Sequence, residues 1–291
     1  MNRLAWLVVV AASAGCSPFP IVDEPSGNQQ SRITHLVLHF TSEHFARSLD
    51  LLSGHGESRV SVHYLVPEPG DETYPHVDLR VYRLVPEERR AWHAGRSYWA
   101  GTTALNGSSI GIEIVNRSAC VDEDLDEPAP ETQVCTLHGY PEAQIDLVVR
   151  LAADILARNP DIDPVDVVGH GDIAPTRRVD PGPLFPWKRL HDAGIGAWYD
   201  DETVVRWRKE LGRSPPDVAL VQRALSAYGY DVDETGDNDV QSRYAVRAFQ
   251  MHFRPADYGG MVDTETAAIL FAMLEKYRPQ RLGQVLRPTD E

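Results

Sequence analysis

Ile33-Thr34-His35-Leu36-Val37-Leu38-His39-Phe40 and, further along, Ser109-Ile110-Gly111-Ile112-Glu113-Ile114 are the two stretches that decide how this chain folds. Side chains of a β-strand alternate between two faces, so Ile33, His35, Val37 and His39 share one face while Thr34, Leu36, Leu38 and Phe40 take the other. In the second stretch Ile110, Ile112 and Ile114 alternate onto one face, and Gly111 and Glu113 look the opposite way. A carboxylate on the second face of an apolar strand either meets solvent or belongs to a site.

Outward from these strands, Phe45, Leu49 and Leu52 recur at helical spacing. Val60 to Val66 and Leu79 to Val85 read as further strands, bounded by the Pro67-Glu68-Pro69-Gly70 turn. A long helix is expected from Pro141 to Arg158, with Pro141 at its first position. Its apolar stripe is Ile145, Val148, Ala152 and Ile155, and Asn159-Pro160 ends it. Val165 to His170 reads as a buried strand ending at a histidine. Strands alternating with helices in this way indicate an α/β domain, a mixed central β-sheet flanked by helices, over about 32–198.

After Tyr199-Asp200-Asp201-Glu202 the pattern becomes helical throughout. Val221 and Leu225, then Ala245, Val246 and Phe249, then Ile269, Leu270 and Met273 mark three short helices. They define a small three-helix C-terminal domain over about 205–280, followed by a polar tail, 281–291.

The composition, 42% hydrophobic and 24% charged, is that of a chain with a packed core. Its 43 acidic against 28 basic residues give a net charge of −15. That balance excludes a nucleic-acid partner, which needs clustered Lys and Arg, and it excludes adhesion to anionic lipid through a basic patch. The sequence carries no signal for oligomeric state. At the N-terminus, Met1-Asn2-Arg3 precedes the apolar run Leu4 to Ala12, which is too short to span a bilayer and has the layout of an export signal. Ser13-Ala14-Gly15 leads into Cys16, and this layout resembles the lipobox of bacterial lipoproteins, although Ser13 stands where Leu is commoner. The resemblance implies a lipid anchor on Cys16 after a signal peptide, 1–16. Ser17 behind it implies the outer membrane, facing the periplasm; a soluble exported protein is the alternative. The Pro-, Ser- and Gln-rich stretch 17–31 reads as a linker. Cys120 and Cys135 flank an acidic loop, and in an oxidising compartment they either pair or remain thiols.

Of 11 histidines, position singles out two: His39 and His170 both sit at strand ends, and Asp180 follows on a Pro-rich loop. Catalytic zinc takes three protein ligands from His and Asp/Glu and leaves a fourth position open. This trio can supply such a set, although strand-end histidines read equally as satisfied structural residues. His35 shares a strand face with His39 and competes for the same role.

The words around these residues narrow the choice. Val37-Leu38-His39-Phe40-Thr41, Val62-His63-Tyr64-Leu65-Val66, Ala91-Trp92-His93-Ala94-Gly95, Ser109-Ile110-Gly111-Ile112-Glu113 and Gly169-His170-Gly171-Asp172-Ile173-Ala174-Pro175, running on to Asp180-Pro181-Gly182-Pro183, occur in one order. Together they resemble the type-2 N-acetylmuramoyl-L-alanine amidases, whose fold is shared with peptidoglycan recognition proteins. The resemblance covers about 32–198. It implies Zn2+ on His39, His170 and Asp180, with Glu113 as the catalytic carboxylate. It also implies peptidoglycan or its muropeptides, anhydro forms included, as partner and substrate. The alternatives are a non-catalytic recognition protein and a zinc hydrolase of another peptidoglycan amide.

The chain departs from the family where a lysine commonly stands two residues before the aspartate: Arg178 is there, behind Arg177. Arginine stabilises an oxyanion but cannot shuttle a proton, so the expected role of Arg178 is electrostatic. Trp92 and His93 are expected to line the substrate cleft, His63 and Tyr64 to form strand and site wall, and Asp172 to hold a ligand or cap the turn. Over about 205–280, Val221-Gln222-Arg223-Ala224-Leu225, Ala245-Val246-Arg247-Ala248-Phe249-Gln250 and Val262-Asp263-Thr264 resemble a three-helix peptidoglycan-binding domain, which would raise local substrate concentration by tethering.

Overall fold

Parallel pairing of the two deciding strands builds the molecule. In the computed structural model, which describes residues 31–54, 59–123, 126, 128–212 and 216–287, β1 (His35–Phe40) lies parallel to β6 (Ser109–Ile114). The register sets Leu36 beside Ile110 and Leu38 beside Ile112, and on the opposite face Val37 beside Gly111 and His39 beside Glu113. Around them stand β2 (Tyr64–Val66), β3 (Tyr82–Arg83) and β9 (Val167–Gly169), in the order β3-β2-β6-β1-β9. Only β3 is antiparallel to its neighbour, so the sheet is mixed. Two small hairpins, β4 (Tyr98–Trp99) with β5 (Thr102–Thr103) and β7 (Ala119–Asp122) with β8 (Gln133–Thr136), stand apart from it.

All six residues of β1 are buried, as a strand covered on both faces should be. Leu36, Leu38, Ile110, Ile112 and Ile114 join the stripe Ile145, Val148, Ala152 and Ile155 of α2 (Glu142–Arg158) in one core. Each Val, Leu or Ile side chain among them contributes about 1.5–3 kcal/mol on burial. Gln144, also buried, fastens the first turn of α2 to the sheet by donating to the carbonyls of Pro67 and Val115. The smaller helix α1 (Phe45–Leu52) covers a satellite cluster with Val62, Leu65 and Val115.

Several sequence boundaries are corrected. The strands expected over 60–66 and 79–85 shrink to β2 and β3, because the flanking segments hydrogen-bond to loops instead, as Ser61 does with Trp92. Pro141 is the N-cap of α2, with extended ψ of 141°, and not its first turn. His170 does not end a strand: β9 stops at Gly169, and His170 opens the single turn α3 (His170–Ile173). A further short helix, α4 (Trp187–Asp192), follows.

The C-terminal region is larger than three helices. Among the described residues it holds α5 (Asp201–Leu211), α6 (Val218–Tyr228), α7 (Val240–Phe253), α8 (Thr264–Tyr277) and α9 (Pro279–Val285). The expected polar tail, 281–291, is helical through Val285, whose side chain is buried with that of Leu282. The three central helices repeat one device: Asp217, Asp239 and Asp263 each cap a helix by accepting from the amide three residues on. Gln222 and Gln250 repeat another, each accepting from a turn glycine amide (Gly236, Gly260) and donating to the hydroxyl inside the next helix, Ser242 or Thr266.

These helices do not hang from a tether: 31–291 forms one compact unit. Trp187 stacks on His252 with ring centroids 3.7 Å apart, and Trp99 packs edge-on against Tyr228 and Tyr230. Buried Asp172 lies at the seam. It accepts from the Gly169 amide (2.7 Å), from the Tyr230 hydroxyl (2.6 Å) and faces His252 Nδ1 (2.8 Å). Cys16 and the expected signal and linker, 1–30, lie outside the described residues. No helix among the described residues is long and apolar enough to cross a membrane.

Removing one partner of a buried carboxylate leaves its desolvation uncompensated, at about 1–3 kcal/mol. Tyr230→Phe, which keeps the ring packing, is therefore expected to lower the unfolding free energy by about that amount in urea titrations. An unchanged midpoint would show that Asp172 does not depend on the Tyr230 hydroxyl.

Candidate active site

The register that puts His39 beside Glu113 supplies half of the site, and the turn after β9 supplies the rest. His170 opens α3 directly behind Gly169, where a Cβ would come within 2.6 Å of Pro181. That close approach, with the Gly171 amide donating to the Asp180 carbonyl at 2.8 Å, folds the Asp180 loop back over α3. The result is a triangle of ligand atoms: His39 Nδ1 to His170 Nδ1 3.0 Å, and each of these to Asp180 Oδ2 3.1 Å. All three residues are buried. Among the described residues they are the group of His, Cys, Asp and Glu arranged to hold a metal ion. Metal–ligand bonds of about 2.0–2.1 Å in a tetrahedron place ligands about 3.3 Å apart, close to the sides of this triangle. Two imidazoles and one carboxylate are also a donor set suited to zinc, and the residues fit the group.

Electrostatics agree with a site that expects a cation. Burial first, then the neighbouring His170, holds His39 down to about 4, against the pull of Asp180. Burial pushes Asp180 up, but His170 and His39 outweigh it and keep the carboxylate well below its usual range. Glu113 goes the other way. Burial and the charge of Asp180 lift it well above 4.5, with Arg178 only partly opposing, and Glu113 Oε2 has no hydrogen-bond partner. Such a carboxylate is primed to take a proton.

His35 is on the same strand but does not join the triangle; its Nδ1 meets the Thr34 hydroxyl at 2.9 Å. His63 accepts from the Gly111 amide at 3.0 Å and faces the Arg89 carbonyl, a role in the wall. A cleft of about 280 Å³ opens over the triangle. Its lining includes Trp92, His93, Glu113, Arg177 and Arg178, with Cys120 and Gln133 at the rim. Trp92 is half exposed, with the Arg90 guanidinium 4.3 Å over its ring. His93 is buried, and its ring nitrogens are turned to His39 and Ser109 rather than to open space. The rim hairpin carries the Cys120–Cys135 disulfide, between residues directly opposite across β7 and β8. Arg247 of α7 supports it from below, donating to Pro130 O and Gln133 Oε1.

The adjacent arginines divide. Arg178 is exposed at the cleft, and its charge bears on Glu113 and His39. Arg177 turns back and donates to the carbonyls of Ala94 (2.8 Å) and Arg96 (2.6 Å). Spacing alone could not assign these directions. Tyr140 was also missed: its hydroxyl donates to Pro181 O, and burial with the charges of Asp180 and Glu113 raises it well above 10.

Comparison with known proteins gives the arrangement its family. A family model described as N-acetylmuramoyl-L-alanine amidase matches residues 29–183. The chain belongs to the N-acetylmuramoyl-L-alanine amidase family. A peptidoglycan-binding domain model matches 214–270 of this amidase. The chain is 42% identical to N-acetylmuramoyl-L-alanine amidase AmiD of Escherichia coli, over 95% of the chain and 99% of that protein. Among solved structures it is similar to AmpDh3 of Pseudomonas aeruginosa in complex with an anhydromuramic pentapeptide: 45% identity, 88% of this chain and 96% of that one, TM-score 0.78. It is likewise similar to E. coli AmiD bound to the substrate anhydro-N-acetylmuramic acid-L-Ala-D-γ-Glu-L-Lys: 43% identity, 87% and 93% coverage, TM-score 0.75.

The raised Glu113 has a cost in stability. The folded amidase holds this proton over a pH range in which the unfolded chain, near ~4.3, has released it. Its contribution therefore falls as pH rises from the unfolded value through the folded one. Glu113→Gln is expected to make the metal-free protein more resistant to urea, by a margin that grows from pH 5 to pH 8. Parallel curves for variant and parent would remove the buried charge from the account.

Proposed function

We propose that this amidase uses zinc to hydrolyse the amide between N-acetylmuramic acid, or its anhydro form, and L-alanine in peptidoglycan fragments. The observation that carries the reading is the buried triangle His39, His170 and Asp180 with unpartnered Glu113 on the adjacent strand, open to one cleft. Relatives seen with anhydromuramyl peptides support the substrate class.

His39, His170 and Asp180 would hold the metal, which supplies Lewis acidity: it acidifies water and polarises a carbonyl. Glu113 accepts the proton of the attacking water and returns it to the departing amine of L-alanine, a shuttle favoured by a carboxylate held above its ordinary value. Arg178, permanently charged and exposed at the cleft, stabilises the negative charge that develops on the carbonyl oxygen. Trp92 offers an amphipathic ring as a wall for sugar or stem peptide. The match of 214–270 to a peptidoglycan-binding model supports a role for the helical region in holding polymer near the cleft. Export through the N-terminal signal, with Cys16 lipidated and the enzyme facing the periplasm, completes the proposal.

The test is incubation of the purified protein with an anhydromuramyl peptide, with and without a zinc chelator, and mass spectrometry of the products. Stem peptide beginning at L-alanine, lost on chelation and restored by zinc, is expected. Glu113→Ala should keep the metal and lose turnover by about 10²–10⁴-fold, while Arg178→Lys keeps activity. Intact substrate with metal bound would make this a recognition protein; cleavage at another amide would move the substrate assignment.

A further inference from the structure

The Trp92-His93-Ala94-Gly95 segment does more than wall the cleft. Both metal-facing histidines turn their second nitrogen onto it. His170 Nε2 lies 3.2 Å from the Ala94 carbonyl, which only accepts, and 3.4 Å from Arg177 Nη2. That Nη2 already donates to the Ala94 and Arg96 carbonyls at 2.8 and 2.6 Å, so Nε2 is left to carry the proton toward Ala94 and Nδ1 to face the metal. His39 reaches the same state through a chain. The Ser109 hydroxyl donates to the Leu105 carbonyl at 2.7 Å, so its oxygen is left to accept from His93 Nε2 at 3.2 Å. His93 then presents a bare Nδ1, which accepts from His39 Nε2 at 3.0 Å. His39 Nδ1 is then left to face the triangle, and with Asp180 Oδ2 (3.1 Å away) taken up by a metal it is unprotonated.

The segment is itself held. The Asn106 side-chain carbonyl accepts from the amides of both His93 (2.9 Å) and Ala94 (2.7 Å). Gly111 leaves the space that the His93 ring fills; a Cβ there would stand 2.7 Å from it. Gly95, at φ +59°, lets the Arg177 guanidinium reach the Ala94 carbonyl.

We propose that His93 and the Ala94 carbonyl are positioning groups that fix the tautomer of His39 and His170, so that both imidazoles offer Nδ1 to the metal. The proposal rests on the metal site proposed above and assigns the groups that hold its two imidazoles. Partners of ligand histidines orient the ring and sharpen metal affinity, and their loss weakens binding by about 10–100-fold.

Two measurements test it. In the zinc-loaded protein, where Asp180 is engaged by the metal, long-range ¹H–¹⁵N correlation spectra are expected to show His39 and His170 as Nε2–H tautomers; an Nδ1–H form of either would overturn the proposal. Zinc affinity is then read by competition with a chromogenic chelator. His93→Leu should bind about 10–100-fold more weakly, and His93→Asn, which keeps an acceptor near the Nδ1 position, should recover part of the loss. Ser109→Ala, which breaks the chain one step further out while retaining the strand, should also weaken binding, and it serves if His93→Leu does not fold. Parental affinity in Ser109→Ala and in a folded His93→Leu would overturn the proposal. A parent protein that binds no zinc would overturn the metal reading instead.

Discussion

The in-register parallel pairing of β1 with β6 is the constraint from which the active site follows. It places His39 directly beside Glu113 on one face while Leu36, Leu38, Ile110 and Ile112 are committed to the core on the other. A shift of one residue in that register would turn the histidine into the core and the isoleucines into the cleft. The same pairing sets Gly111 beside Val37, and the absence of a side chain there admits His93 behind His39. The apolar face thus fixes the chemistry on the polar face.

Much of this is legible in the amino-acid sequence. Alternation in Ile33–Phe40 and Ser109–Ile114 gave both strands and their faces, and the stripe Ile145, Val148, Ala152, Ile155 gave α2. His39, His170 and Asp180 come together although 131 and 141 residues separate the latter two from the first. Spacing alone offered that trio beside other readings, His35 included, and the family words were needed to choose. Less legible were features settled by partners remote in sequence. His93 belongs behind a ligand because of Ser109 and Gly111, which no local pattern reveals. Arg177 and Arg178 are neighbours of one type, and only the carbonyls of Ala94 and Arg96 decide which turns inward. The helix α9 hides in a sequence rich in polar residues, anchored by buried Leu282 and Val285 and by Arg281 donating to the Ala227 carbonyl.

The helical region illustrates the same limit on a larger scale. Its composition reads as a domain of its own, as the family model over 214–270 also has it, but does not reveal that Asp172 joins the turn carrying His170 to Tyr230 and His252, 58 and 80 residues away. Trp187 stacking on His252 continues the seam beside the Asp180 loop. If it binds polymer as proposed, a module packed this way would hold it at a fixed distance and angle from the cleft, a geometry that a flexible linker would not give. It also makes the ligand-bearing turn dependent on helices that contribute no ligand.

The most direct measurement is an anomalous difference map at the zinc edge from a crystal of this protein grown with zinc. The account predicts one strong peak inside the triangle, about 2.0–2.2 Å from His39 Nδ1, His170 Nδ1 and an oxygen of Asp180. A peak bonded to Nε2 of either histidine, or one that recruits His35 or His93 in place of His39, would contradict it.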